Sequence, residues 1–147
     1  MFELILLPLD GSALAEEAIP YGVAHAQRFG SELVLLRILD PLPGAGGVSE
    51  ETLEKASQRS REMALDYLGR LTEHVREAGV TSRVEVVEGR PYREIVRFAE
   101  DNDVSLIVIS TRGESGLSRW LMGSVADRIV RGARVPVLLI PVRSEEG

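Results

Sequence analysis

Apolar runs alternate with segments of helical periodicity along this chain. Glu3 to Leu9 is apolar at nearly every position, which suits a short strand inside a parallel sheet covered on both faces. The turn Asp10-Gly11-Ser12 follows. Leu14, Ala18, Gly22, Ala26 and Phe29 then recur near helical spacing, with Ser12 as N-cap and Gly30 as stop. Leu33 to Leu39 predicts a second strand. Asp40 to Val48 holds two prolines and three glycines and predicts a loop.

A stripe through Ala64, Leu68, Leu71 and Val75 predicts a long helix from about Ser49 to Ala78, ended by Gly79. Arg83 to Val87 alternates charged and apolar residues, the pattern of an edge strand with one wet face. A third helix, Tyr92 to Asn102, turns Ile95, Val96, Phe98 and Ala99 inward. Leu106 to Ile109 predicts the fourth strand, Gly123 to Gly132 a fourth helix, and Val135 to Val142 the last strand.

Strands alternating with helices imply an α/β fold: a doubly wound, five-stranded parallel sheet with helices on both faces. The expected strand order is 3-2-1-4-5. Ligands of such sheets bind beyond the strand C-termini where the order reverses, here between strands one and four. The candidate site is therefore built from Pro8 to Ser12 and from Ser110 to Ser124. The 147 residues suit one domain, 1–147, with one core.

Composition narrows the chemistry. The apolar run at the start is too short for a secretory signal and lacks a basic flank, and no run approaches a membrane span, so the expected address is cytoplasmic, with no membrane partner. The net charge of −6 and the absence of any basic run argue against a nucleic-acid partner. There is no cysteine, and Lys55 is the only lysine. Thiolate chemistry is excluded, and any site needing a lysine must use Lys55.

The loop from Ser110 to Ser124 leaves a buried strand and enters a helix. The first amides of a helix lack internal partners and carry partial positive charge, so an anion is stabilised there. Gly113, Gly116 and Gly123 permit close backbone approach. Ser124 offers a hydroxyl and forms, with Asp127, a capping-box pattern. Arg112 and Arg119 are candidate phosphate partners. Asp10, at a strand end, suits either a Mg²⁺ or ribose contact or a turn cap. Trp120 reads as a packing residue, and His25 and His74 as packed or solvated.

The loop reads Ser110-x2-Gly113-x9-Gly123-Ser124 and resembles the G-x2-G-x9-G-[S/T] pattern of the universal stress protein family, with serine at the first glycine. Pro8-Leu9-Asp10-Gly11-Ser12 is similar to that family's P-x-D-G-S. Gly89-Arg90-Pro91 and Val135-Pro136-Val137-Leu138 are family-like too, and the resemblance spans the chain. It implies a Rossmann-like fold of the adenine nucleotide alpha hydrolase-like type and the ATP-binding branch of the family. By resemblance, Pro8 and Asp10 lie near ribose or metal, with Leu9 between them as a further nucleotide-binding candidate, and Ile38 lies against adenine. Ile109 and Ser110 form the floor, and Arg112, Gly113, Gly116, Gly123, Ser124 and Val125 hold phosphates. The cofactors implied are ATP or another adenine nucleotide, with Mg²⁺ at Asp10. Replacing Ser110 by glycine is expected to tighten binding.

Two functions stand side by side. One is a nucleotide-binding regulatory protein rather than an efficient enzyme, since no G-x4-G-K-[S/T] loop is present. The other is an interaction module, nucleotide-free or binding a cyclic nucleotide. A phospho-receiver shares this strand order but needs a lysine after the last strand, which here ends Ile140-Pro141-Val142. The apolar last strand lies at a sheet edge, which predicts a homodimer through Val135 to Val142, as is common in the family.

Overall fold

Side-chain alternation along buried strands organises the molecule. The computed structural model describes residues 2–41, 46–111 and 124–142. Its elements, in order, are β1 (Leu4–Leu9), α1 (Ala13–Glu16), α2 (Ile19–Phe29), β2 (Glu32–Leu39), α3 (Glu50–Glu77), β3 (Ser82–Glu88), α4 (Pro91–Asp101), β4 (Leu106–Ser110), α5 (Ser124–Gly132) and β5 (Val137–Ile140). The strands form one parallel sheet ordered β3-β2-β1-β4-β5, as the alternating pattern predicts.

Residues of opposite parity enter different cores. On one face Ile5, Leu7, Leu33, Leu35 and Val108 pack with Ala15, Ala26, Ala64, Leu68 and Val75 from α1, α2 and α3. On the other, Leu6, Val34, Leu36 and Ile107 pack with Ile95, Ala99 and Ile129 from α4 and α5. Each fully buried leucine or isoleucine stabilises the fold by roughly 1.5–3 kcal/mol relative to exposure.

Some boundaries differ from expectation. The helix expected from Leu14 to Phe29 is two helices, with the break at Glu17 and Ala18. Pro20 causes it. Proline has no N–H to give the carbonyl four residues back, and its ring would press on that carbonyl, so it opens α2 in the first turn instead. Phe29 is 46% exposed rather than buried and meets Phe2 edge-on at 5.1 Å. Gly30 does end the helix, at φ 67°. The last strand keeps only its centre, because Pro136 and Pro141 flank it and offer no ladder hydrogen. Val96 and Phe98 of α4 are half-buried beside the fully inward Ile95 and Ala99.

In α3, Ser49 Oγ caps the start by accepting from the Thr52 amide at 3.2 Å. The buried positions are Ala64, Leu68, Thr72 and Val75. Leu71 is half-buried, and Thr72 enters the interior with its hydroxyl donating to the Gly69 carbonyl at 2.8 Å. Residues 50–63 include no buried position.

Candidate functional site

The C-terminal ends of β2, β1 and β4 lie side by side at the point where the strand order reverses. Leu6 pairs with Ile107, and Pro8 with Leu36. Two residues further along β1 and β4 stand Pro8 and Ile109, and two beyond Leu36 stands Ile38. All three are buried. By parity they belong to the face of α4 and α5, where Ile38 and Ile109 join the core. An apolar floor at the switch point is suited to a flat heteroaromatic ring.

The neighbouring positions face the other way. Leu9 packs with the core under α1 to α3. Ser110, 5% exposed, pairs with Ile140 of that same core. Its side chain is thus turned to the α1 side, away from the face of Ile109.

A polar group crowns this second face. The Asp10 Oδ1 accepts from the Ser12 amide at 2.9 Å and from the Ser12 hydroxyl at 2.5 Å. Ser12 Oγ in turn accepts from the Ala15 amide at 3.1 Å and caps α1. Gly11 sits in this turn at φ 89°, a conformation that strains any residue with a Cβ. Asp10 therefore performs the turn-capping role read from its sequence position. Glu16, one turn along α1, accepts from the Tyr67 hydroxyl of α3 at 2.8 Å. Arg37 leans over Gly11, its Nε 3.9 Å from where a Cβ would lie, and donates to the Ile38 carbonyl at 2.7 Å. Partial burial pushes the Tyr67 hydroxyl well above its ordinary pKa. The Glu16 hydrogen bond and the charges of Glu16 and Asp10 add to this, and Arg37 opposes it.

Beyond the loop, Ser124 is the first residue of α5 and is exposed, while Val125 packs against the apolar face. Asp127 accepts from Arg131 Nε at 3.1 and 3.2 Å. It pairs one turn onward instead of closing a box with Ser124. Arg128 lies 4.3 Å over the Tyr92 ring and ties α5 to α4. Arg112, Gly113, Gly116 and Gly123, with Arg119 and Trp120, lie outside the described residues.

Lys55 is exposed in the first part of α3, 3.4 Å from Glu51. His25 and His74 each donate Nδ1–H to the carbonyl four residues earlier in α2 and α3. Among the described residues no three His, Cys, Asp or Glu side chains cluster. A single carboxylate such as Asp10 fits Mg²⁺ only as an ion held chiefly by water and phosphate oxygens. No helix of the described residues is long and apolar enough to cross a membrane.

Sequence reasoning did not pick out Arg37, Glu16 or Tyr67. Arg37 alone carried a signal: it is the one charged residue inside the apolar run from Leu33 to Leu39. Glu16 and Tyr67 are 51 positions apart, and nothing in their local patterns links them.

Comparison with known proteins places these features among relatives. The model of the universal stress protein family matches residues 1–141. The universal stress protein MJ0531 of Methanocaldococcus jannaschii is 34% identical over 146 residues, covering 99% of this chain and 86% of its own. The solved structure of MJ0577 superposes with a TM-score of 0.85 at 26% identity, covering 99% of both chains. Two less similar structures share the fold. An Arabidopsis thaliana family protein with AMP bound has a TM-score of 0.70 at 17% identity, covering 97% of this chain and 94% of its own. A universal stress protein in complex with cAMP has a TM-score of 0.73 at 18% identity, covering 95% and 97%.

Proposed function

Since the chain belongs to the universal stress protein family, we propose that it is a regulatory protein that binds an adenine nucleotide, ATP foremost, at the switch point between β1 and β4. The observation that carries this reading is the convergence of Pro8, Ile38 and Ile109 on one face at adjoining strand ends. The AMP and cAMP held by two relatives of the same fold support it.

In this reading adenine lies against Ile38, over a floor of Pro8 and Ile109. Ser110 and Leu9 contribute backbone, since their side chains face the other core. Asp10 lies near ribose or a phosphate-borne Mg²⁺. The backbone amides around Gly113, Gly116, Gly123, Ser124 and Val125 hold the phosphates, with Arg112 adding charge. With Lys55 on α3 and paired to Glu51, no lysine is offered to a transferred phosphate, so the protein acts as a binder rather than an efficient hydrolase. It works in the cytoplasm as one domain, dimerised through Val135 to Val142.

Mass spectrometry of the small molecules released on denaturing the purified protein tests the reading, followed by calorimetry with ATP, AMP and cAMP in the presence of Mg²⁺. Adenine nucleotide in the released fraction and binding below millimolar concentration are expected. Failure of all three to bind at millimolar concentration overturns it in favour of an interaction module. A dimer mass by light scattering at micromolar concentration is expected, and a monomer mass refutes the strand-paired assembly.

A further inference from the structure

We propose that Tyr67 and Glu16 are positioning residues: they brace α1 against α3 and so hold the Asp10 turn at the ligand-bearing strand ends. The inference rests on the nucleotide reading for what the turn presents, and on geometry for the brace itself.

The bonds form a continuous chain. Tyr67 donates to Glu16 at 2.8 Å. The Glu16 amide donates back to the Ser12 carbonyl at 3.3 Å. The Ser12 amide and hydroxyl both donate to Asp10 Oδ1. The link from Tyr67 to the Ser12 turn passes through α1, which has only four residues. A single turn of helix is not stable by itself, because nucleation costs more than one hydrogen bond returns. Between α1 and α2, Glu17 and Ala18 keep helical backbone angles but donate only to the carbonyls three residues back, at 3.3 Å, a weaker junction than a continuous helix. The orientation of α1 draws on that junction, on Ala15 in the core beneath and on the Glu16–Tyr67 bond. The bond ties α1 to α3 through a directed contact.

The local electrostatics keep the brace closed. A carboxylate accepting from a phenol makes a charge-assisted bond, stronger than a neutral pair. The Tyr67 hydroxyl is protonated, hence a donor, through the neutral range, and the rise in its pKa extends this to alkaline pH. Arg37, beside Gly11, partly balances the two carboxylates. Displacing α1 would move the Ser12 donors and loosen their hold on the Asp10 carboxylate. An Asp10 fixed before the ligand arrives costs less entropy on binding than one that must be ordered.

The variants separate position from packing. Tyr67→Phe keeps the ring and deletes the hydroxyl. Glu16→Gln keeps an oxygen acceptor for Tyr67, and Glu16→Ala removes it. Two readouts are taken: hydrogen exchange at the Ser12 and Ala15 amides of the unliganded protein, and affinity for ATP with Mg²⁺ by calorimetry. Tyr67→Phe and Glu16→Ala are expected to speed exchange at both amides at least threefold and to weaken ATP binding about three- to tenfold. Glu16→Gln is expected to recover most of both. Unchanged exchange in Tyr67→Phe overturns the brace. Faster exchange with unchanged ATP affinity overturns its link to the ligand. If the wild-type protein binds no adenine nucleotide, the nucleotide reading falls by itself, and the brace is decided by exchange alone.

Discussion

The two faces of the sheet are alike in their middle and opposite at their C-terminal rim. In the middle, both are sealed by fully buried aliphatic side chains from strands and helices. At the rim, the α4–α5 face ends in Pro8, Ile38 and Ile109, while the α1–α3 face ends in Asp10, Ser12, Glu16, Arg37 and Tyr67. One residue of chain separates the two chemistries: Arg37 from Ile38, and Ile109 from Ser110. The period-two alternation of a strand produces this contrast without any insertion. One strand end thereby carries apolar side chains on one face and polar ones on the other.

The largest effects should ignore the contrast. Leu6→Ala and Leu7→Ala each remove a fully buried side chain, one from each face, and each should cost about 2–5 kcal/mol in urea unfolding. A cost confined to one face would break the symmetry of the middle. Next come the glycines of the loop. Gly113→Val or Gly123→Val should lower ATP affinity by more than about tenfold, or 1.4 kcal/mol, by adding bulk where backbone must approach phosphate, with the unfolding midpoint unchanged. Arg112→Ala should weaken binding only about two- to threefold, since in the cradle reading backbone amides rather than one side chain hold the phosphates. Calorimetry that ranks the arginine above the glycines would refute the backbone cradle.

Ser110→Gly sharpens the comparison further. The sequence expectation of tighter binding assumes a side chain in the ligand's path, but the pairing of Ser110 with Ile140 turns it to the other face. ATP affinity should therefore change by less than about twofold, while stability falls by about 0.5–1 kcal/mol through the cost of glycine in a strand. A clear change in affinity would return Ser110 to the binding face. The smallest effect belongs to alkaline pH. Because folding raises the Tyr67 pKa above its ordinary value, the associated stability is fully present below about pH 10 and declines as pH climbs beyond it. Tyr67→Phe should flatten that decline in thermal unfolding measured from pH 9 upward, and at neutral pH cost only the lost hydrogen bond, about 1 kcal/mol.

The sheet order, the strand centres and the ends of the long helix were legible because buried parallel strands and capped helices leave strong local patterns. The placement of Pro8, Ile38 and Ile109 at adjoining strand ends was legible through topology and family resemblance. Three things were hidden. Pro20 was masked by a periodicity that runs across the break, from Leu14 to Phe29. The prolines flanking β5 left an apolar run that reads longer than the strand it makes. The Glu16–Tyr67 bond joins residues 51 positions apart, and no local pattern records a contact of that kind.

The long helix carries a mechanical consequence. At 28 residues α3 is about 42 Å long, yet its buried positions begin only at Ala64. The docked part includes Tyr67, close to the pivot, and the remainder projects from it. A tilt of about 5° at the pivot sweeps the far tip through roughly 2 Å over its ~20 Å reach. A fluorophore near that tip would report any such tilt. The chain has no cysteine of its own, so one introduced at the exposed Lys55 gives a single attachment point for reading that motion.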